Sequence, residues 1–503
     1  MAILSVDIGT TGTRAVLFNE TGDIITSSYQ EYPQFYPKPG WAELDAETIW
    51  SAFSKTIHEV SGSHKKQIES LCISCMGNNI VPVRRDGTAI RNGILGFDTR
   101  TTEEIEIIRD TIGEQAYYQI RGHRPSTMCG LSKILWLKRN EPDTFNQTWK
   151  FITFGDFIRT RLGFPGVTDY STAVASLPFD IQKMDLSETM MKAFGLNRKM
   201  FNTPLPSDTI LGEITPNMSA ELGLPNGVKL VNGGNDAMCG VLGAGITQAT
   251  PNMLANITGT FELIAYVKQK PILTQKSYDG HVISCSGVLK DTFVVFNSLS
   301  TSGSVVRWFR DNLATEDKIK AEQQNINIYD YMFESLKFDG GKIIVTPYFA
   351  GSGDDEFAKG SFIGLNLGTS RQEMLQGVVE GVTHEMSAMV DRMEQLSDTP
   401  IQVIRALGGA IRSAKWLQLK ADISGKKVEA VQVGEASALG AAILAGVATG
   451  VYSSYEQAIK ATVIIKADYK PRPEIHRIYK RQHEIYKDMV SAMKTINKKL
   501  YYM

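Results

Sequence analysis

Four short stretches carry residue types that can handle a polyphosphate and an attacking hydroxyl. In Gly9-Thr10-Thr11-Gly12, glycines let the backbone approach a ligand, exposed N–H groups point at anionic oxygens, and threonine hydroxyls add donors. Asp7 stands at the end of the preceding apolar run. A carboxylate there repels phosphate unless a divalent cation lies between them, which points to Mg²⁺ held through water. Alone, this stretch reads more readily as an ordinary hairpin turn. Thr258-Gly259-Thr260 repeats the theme more weakly, and its value lies in the pairing: two like hairpins could grip a polyphosphate from opposite sides of a cleft. Gly408-Gly409-Ala410, leading into Arg412-Ser413, could take a flat adenine or a phosphate against a helix start, or be no more than a tight strand-to-helix connection. Asp236 follows Gly233-Gly234-Asn235. A carboxylate at such a strand end can take a proton from a hydroxyl while that oxygen attacks phosphorus. The local sequence favours Asp236 as a helix cap, and the roles are compatible because each needs one oxygen.

These groups depend on the elements around them. Residues 2–8 read as a buried strand, 9–12 as a tight turn and 14–18 as a second strand. Residues 19–23 turn the chain into a third strand over 24–32. A Walker loop or dinucleotide fingerprint needs its glycines to open a helix, whereas β-branched and aromatic residues follow here. Ile49, Trp50, Phe53, Ile57 and Val60 recur at helical spacing, with Asp45 placed to cap them. Helices are expected at 101–110 and 132–141. A strand over 228–232 runs into the Gly-Gly-Asn-Asp turn and a small-residue helix over 237–243. Strand, Gly-Thr turn and strand return at 253–258, 259–260 and 261–267. A repeat this wide suggests two related halves, with a boundary near 245–248: residues 1–247 and 248–503. The second half is richer in helix, with a long pattern at 371–396, a buried strand at 401–407 and a helix from about 412 to 425. In the basic tail 473–500, Ile475, Tyr479, Gln482, Tyr486, Met489, Met493 and Ile496 mark a face that covers a domain.

A chain of 503 residues, 43% hydrophobic and 21% charged, builds large cores and excludes wholesale disorder. Lys and Arg number 53 against 54 Asp and Glu, which gives no general field for nucleic acid or an anionic membrane. Five scattered cysteines fit a reducing setting better than a disulfide framework. Cys72 and Cys75 read as chance spacing within a strand. No secretory leader is legible in residues 1–8, and the greasy stretch 436–451 is shorter than the ~18 residues of a span. Together these point to the cytoplasm.

Taken in order, the pieces resemble the FGGY carbohydrate kinases, most of all their xylulokinase-like branch. The resemblance covers nearly the whole chain, from Asp7-Ile8-Gly9-Thr10-Thr11-Gly12-Thr13-Arg14 and Gly40-Trp41-Ala42-Glu43 through Gly233-Gly234-Asn235-Asp236 and Thr258-Gly259-Thr260. It continues to Gly303-Ser304, Gly408-Gly409-Ala410-Ile411-Arg412-Ser413, and Glu435-Ala436-Ser437-Ala438-Leu439-Gly440. It implies an α/β chain with two ribonuclease-H-like domains around a central cleft, as in the actin and hexokinase superfamily. Sugar would sit mainly on the first domain and ATP mainly on the second. Asp236 matches the catalytic base. Thr10, Thr11 and Arg14 match the first phosphate loop, and Thr260 and Gly303 the phosphate contacts of the second domain. Gly409, Ala410 and Ser413 match the adenosine motif, and Asp7 the residue near Mg²⁺. Closure would exclude water, so that the sugar is phosphorylated and ATP is not hydrolysed.

The substrate positions depart from the family's best-known patterns. Met76-Gly77-Asn78-Asn79 stands where xylulokinases carry Met-His-Gly and glycerol kinases Arg-Glu-Thr. Gly96-Phe97-Asp98 replaces a xylulokinase-like Trp-Asn-Asp. The implied substrate contacts are Gly77, Asn78, Asp98, Asn235 and Asp236. A neutral Asn78 bonds hydroxyls but gives a substrate carboxylate no charge to pair with. The expected activity is ATP- and Mg²⁺-dependent phosphorylation of a small ketose such as a pentulose, or of a polyol, without nucleic acid or membrane partners and with a homodimer as one assembly. The competing reading is an ATP-binding regulatory or chaperone-like protein that has lost transfer.

Overall fold

The computed structural model describes residues 2–352, 355, 357–432 and 434–503. Its first sheet has six strands, in the spatial order Ile210–Glu213, Lys229–Asn235, Ile68–Cys75, Ala2–Ile8, Gly12–Phe18 and Ile24–Glu31. Ala2–Ile8 lies between neighbours and is buried almost throughout, as a near-continuous apolar run requires. Ile24–Glu31 forms the edge and alternates between half-buried and exposed. Ala2–Ile8 pairs antiparallel with Gly12–Phe18 and parallel with Ile68–Cys75, which pairs parallel with Lys229–Asn235. Cys72 and Cys75 fall in different core clusters, since residues three apart on a strand face opposite ways.

The second sheet repeats this wiring. Met253–Thr258 pairs antiparallel with Glu262–Lys268 and parallel with Val403–Gly408, which pairs parallel with Lys427–Val431 and thence antiparallel with Ile465–Tyr469. Phe293–Leu299 and Ile283–Ser286 complete seven strands. The duplication expected from two hairpins therefore extends across both sheets, and the chain is two ribonuclease-H-like domains.

Several boundaries differ from the sequence reading. The strand expected at 228–232 runs on to Asn235, with a register shift between Val231 and Gly234. Gly233 takes φ +79° there, and a Cβ on it would lie 1.9 Å from the Ile73 carbonyl oxygen, so only glycine fits this bulge. The helix expected from 237 begins at Asp236. The one expected from 412 is a 3-10 turn, Gly409–Arg412, followed by Ala414–Ser424.

The two domains meet through the equivalent helices Asp236–Gly243 and Ala436–Ala448. Their backbones nearly touch: a Cβ on Gly243 would lie 2.0 Å from the Ala436 oxygen, and one on Gly440 1.9 Å from the Cys239 oxygen. Close approach explains the small-residue composition of 436–451, and no helix among the described residues is long and apolar enough to cross a membrane. Glu114–Arg121 supplies a second bridge, where Tyr118 donates to Ser277 at 2.9 Å and the Ser284 N–H to the Gly122 oxygen at 2.8 Å. The tail helix Pro473–Tyr501 buries Tyr479, Gln482, Tyr486 and Met489, whereas Ile496 stays 48% exposed.

Candidate active site

Two carboxylates stand at the ends of Ala2–Ile8 and Lys229–Asn235, the strands on either side of Ile68–Cys75. Asp7 lies opposite Arg14 on one side and Ser74 on the other, and the Ser74 hydroxyl donates to Asp7 Oδ1 at 2.7 Å. Burial, aided by Glu435 and opposed by Ser74 and Arg14, raises the Asp7 carboxyl to about 6. Asp236 opens its helix one strand further across. The cap is Asn235, whose Oδ1 accepts from Ala237 N–H at 3.0 Å and Met238 N–H at 3.4 Å. The sequence reading of Asp236 as the cap is corrected accordingly: with Asn235 in that position, Asp236 sits in the first turn and accepts from Ala237 N–H through Oδ1 at 2.7 Å. Burial and then the charge on Asp7 raise the Asp236 carboxyl to about 7. The two groups thus feel one another's charge, and each ionises reluctantly.

The first phosphate turn is held from behind. Gly9 N–H donates to the Gly12 oxygen at 3.0 Å, Tyr32 donates to the Gly9 oxygen, and Gln34 to the Thr10 oxygen at 2.8 Å. Thr10 is half-buried and Thr11 exposed at the tip. Arg14 lies 4.7 Å over the Tyr29 ring and reaches Glu435 of the second domain at 3.3 Å.

The structure brings the second and third motifs together. Thr258 pairs with Gly408 in parallel register, and Gly408, at φ +80°, has no room for a Cβ beside the Thr258 oxygen, 2.4 Å away. Thr260 is exposed, and its carbonyl accepts from Ser302 N–H at 2.9 Å and the Ser304 hydroxyl at 3.0 Å. Gly303 N–H donates to the Gly259 oxygen at 3.0 Å. Gly303 opens the eleven-residue helix Gly303–Leu313, which has no side-chain cap; Val305 N–H is taken by the Ser302 oxygen at 3.0 Å, so Ser304 N–H and the positive end of the helix are what an anion would meet. Gly409 and Ala410 lie in the 3-10 turn; the Ala410 side chain is outside the described set. Ser413 caps the next helix by accepting from Trp416 N–H at 3.3 Å, a structural duty the motif match had not disclosed.

Among the residues expected to meet the substrate, Gly77 packs directly under Asn235: a Cβ on Gly77 would lie 2.3 Å from Asn235 Nδ2. Asn78 is half-buried in the left-handed region at φ +61° and faces Gly96. Gly77, Asn78, Asn235 and Asp236 therefore share one wall. Asp98 does not join them. It is fully buried; its Oδ2 accepts from Ala42 N–H at 2.6 Å and from Arg100 Nη2 at 2.7 Å, and its Oδ1 from Arg100 N–H and Nε at 2.9 Å, so both oxygens are engaged within the protein. Arg100 in turn lies 3.8 Å over the Trp41 ring and 4.9 Å over the Trp136 ring, and pairs with Glu43 at 2.9 Å. The sequence reading gave no role to Ser74, Glu435 or Ser437, although the last two lie in a motif it quoted; the Ser437 hydroxyl donates to the Asp236 carbonyl from the other domain at 2.9 Å. Strand pairing brings Ser74 to Asp7, and the crossing of the two central helices brings Ser437 to Asp236.

Residues 2–243 match the model of the N-terminal domain of the FGGY family of carbohydrate kinases, and residues 254–449 that of its C-terminal domain. The chain belongs to the FGGY family of carbohydrate kinases. As an FGGY kinase it is a phosphotransferase with an alcohol acceptor. It is 25% identical over 501 residues to a xylulose kinase of Bacillus subtilis, covering 98% of each chain. A gluconokinase of the same organism is 26% identical over 461 residues, covering 90% of this chain and 89% of that one. The structure of a ligand-bound xylulose kinase from Lactobacillus acidophilus superposes with a TM-score of 0.89 at 20% identity, covering 99% of both chains.

Proposed function

We propose that this FGGY kinase transfers the γ-phosphoryl group of ATP to a hydroxyl of a small uncharged sugar, a ketose such as a pentulose, or a polyol. Asp236 is the base: its free oxygen takes the hydroxyl proton as the substrate oxygen bonds to phosphorus and the bond to ADP breaks. The observation that carries this reading is a half-buried carboxylate raised to about 7, beside the wall formed by Gly77, Asn78 and Asn235. A base that ionises near neutral pH is matched to proton abstraction there. Thr10, Thr11, Thr260 and the N-terminus at Gly303 supply donors from the two sides, where charge spreads over the transferred group.

Asp7 fits a Mg²⁺ ion. Its carboxyl is destabilised by burial and by a neighbouring anion, and a cation would relieve both. No group of three or more His, Cys, Asp or Glu side chains that could hold a metal occurs among the described residues, and Mg²⁺ is typically bound by one or two carboxylates together with substrate phosphates and water. When bound, the ion would neutralise phosphate charge. Five free, buried cysteines suit the cytoplasm. The reading as a lapsed ATP-binding protein gains no support from relatives that are themselves named kinases.

The test is an ADP-release screen across ketoses, aldoses, polyols and sugar acids. A pentulose or polyol is expected to be turned over, and aldonates poorly, because Asn78 brings no positive charge. ATP consumption that no sugar stimulates would reject the proposal, and strong turnover of an aldonate would reject the neutral-substrate part.

A further inference from the structure

Beneath the second phosphate turn lies a charged cluster that the phosphoryl-transfer chemistry does not use. The Lys420 and Glu262 side chains are both 0% exposed and form an ion pair at 2.6 Å. Lysine is almost never fully buried unless paired. Here the pairing is complete: Lys420 Nζ donates to Glu262 Oε1, Asn256 Oδ1 and Thr258 Oγ1, each at 2.6 Å. Those three acceptors satisfy its three protons. Glu262 Oε1 also accepts from Asn256 Nδ2 at 2.6 Å and from the Thr258 hydroxyl at 3.0 Å, while Oε2 accepts from Ser302.

The members come from four separate elements. Asn256 and Thr258 belong to the strand entering the phosphate turn and Glu262 to the strand leaving it. Ser302 directly precedes the helix that starts at Gly303, and Lys420 lies on the helix that follows the turn at Gly408. The cluster therefore joins both legs of the hairpin, the helix N-terminus beside Thr260 and the helix behind the adenosine motif. We propose that Lys420 and Glu262 are positioning residues that hold the phosphate turn at Thr260 in register with the adenosine turn at Gly408, so that ATP affinity depends on a buried ion pair that touches no part of the nucleotide. This rests on the assignment of ATP to the second domain.

The test uses the full-length protein and three variants. Ser302→Ala cuts a single arm of the cluster. Lys420→Met leaves Glu262 buried without its partner. The double change Lys420→Met with Glu262→Met removes both charges, which proteins often tolerate far better than removing one. Mg-ATP and adenosine affinities are measured by calorimetry, with the sugar KM and the melting temperature alongside. Ser302→Ala and the double variant are expected to weaken Mg-ATP about tenfold, a change of about 1.4 kcal/mol. Adenosine affinity and the sugar KM should stay within about twofold, and the double variant should melt above Lys420→Met. Two results would overturn the proposal: Mg-ATP affinity unchanged in both Ser302→Ala and the double variant, or equal losses for ATP and adenosine. Failure of the unmodified protein to bind Mg-ATP would remove the ATP assignment itself and this proposal with it.

Discussion

Replacing Asp236 with Asn is expected to stabilise the ligand-free protein while removing its activity. The carboxyl is raised from its ordinary 3.8 to about 7 by burial and by Asp7. Between those values the folded chain keeps a proton that the unfolded chain has released, so the group's contribution to stability falls as pH climbs through the window. At about 1.4 kcal/mol per pH unit, the ionised form costs the fold roughly 4 kcal/mol at pH 8. Water reaches this half-buried site, and screening reduces the figure to roughly 2 kcal/mol. Asparagine has the same shape and its Oδ1 still accepts from Ala237 N–H, but it carries no charge. At about 2–4 °C per kcal/mol for a domain of this size, the variant should melt roughly 4–8 °C above the parent at pH 8. The gain should shrink as pH falls, and at pH 4.5 be less than half its pH 8 value. Turnover should drop by about 10² to 10⁴. Scanning calorimetry at both pH values, with an ADP-release assay, checks this. A variant that melts no higher than the parent at pH 8 would refute the reasoning about desolvation, and one with near-normal turnover would refute the role of Asp236.

The acid limb of kcat/KM should break near pH 7, as Asp236 gains its proton; a profile flat down to pH 5 contradicts the assignment. Gly440→Ala would place a Cβ 1.9 Å from the Cys239 oxygen and push the central helices apart, costing about 1–3 kcal/mol. A lower melting temperature and a fall in kcat/KM for both substrates are the expected readout. Glu435→Gln frees Arg14 from a pair whose side chains are about one-third exposed and which is worth at most about 1 kcal/mol. Calorimetry should find Mg-ATP bound roughly twofold to fivefold tighter, with melting nearly unchanged.

What the sequence made legible follows from how local each feature is. The two Gly-Thr hairpins could be read because their turn chemistry and flanking apolar runs lie within about eighteen residues, and their pairing pointed to the duplication. Asp236 was ambiguous because Asn235 and Asp236 are both good caps; the bulge at Gly233 decides between them by setting where the strand ends. Asp98 is expected at the cleft because Gly96-Phe97-Asp98 stands where the resemblance puts a Trp-Asn-Asp substrate motif. It is buried because Ala42, 56 positions upstream, and its near neighbour Arg100 both donate to it, and spacing along the chain encodes only the second of these contacts. Lys420 went unremarked for the same reason: its partners Asn256, Thr258 and Glu262 stand about 160 positions away along the chain. The tail helix shows the opposite limit, since periodicity placed Tyr479, Gln482, Tyr486 and Met489 correctly yet carried the buried stripe past the point where Ile496 turns to solvent.

The glycine crossing has a mechanical corollary. Asp236 begins one of the two helices that meet there, and its own carbonyl is fastened by Ser437 to the other. A swing of one half about that contact displaces atoms in proportion to their distance from the axle. The carboxylate proposed as the base rides almost on the axle itself, while atoms at the outer edge of either half travel furthest. Opening can therefore be wide at the far end and still leave that carboxylate nearly where it stood.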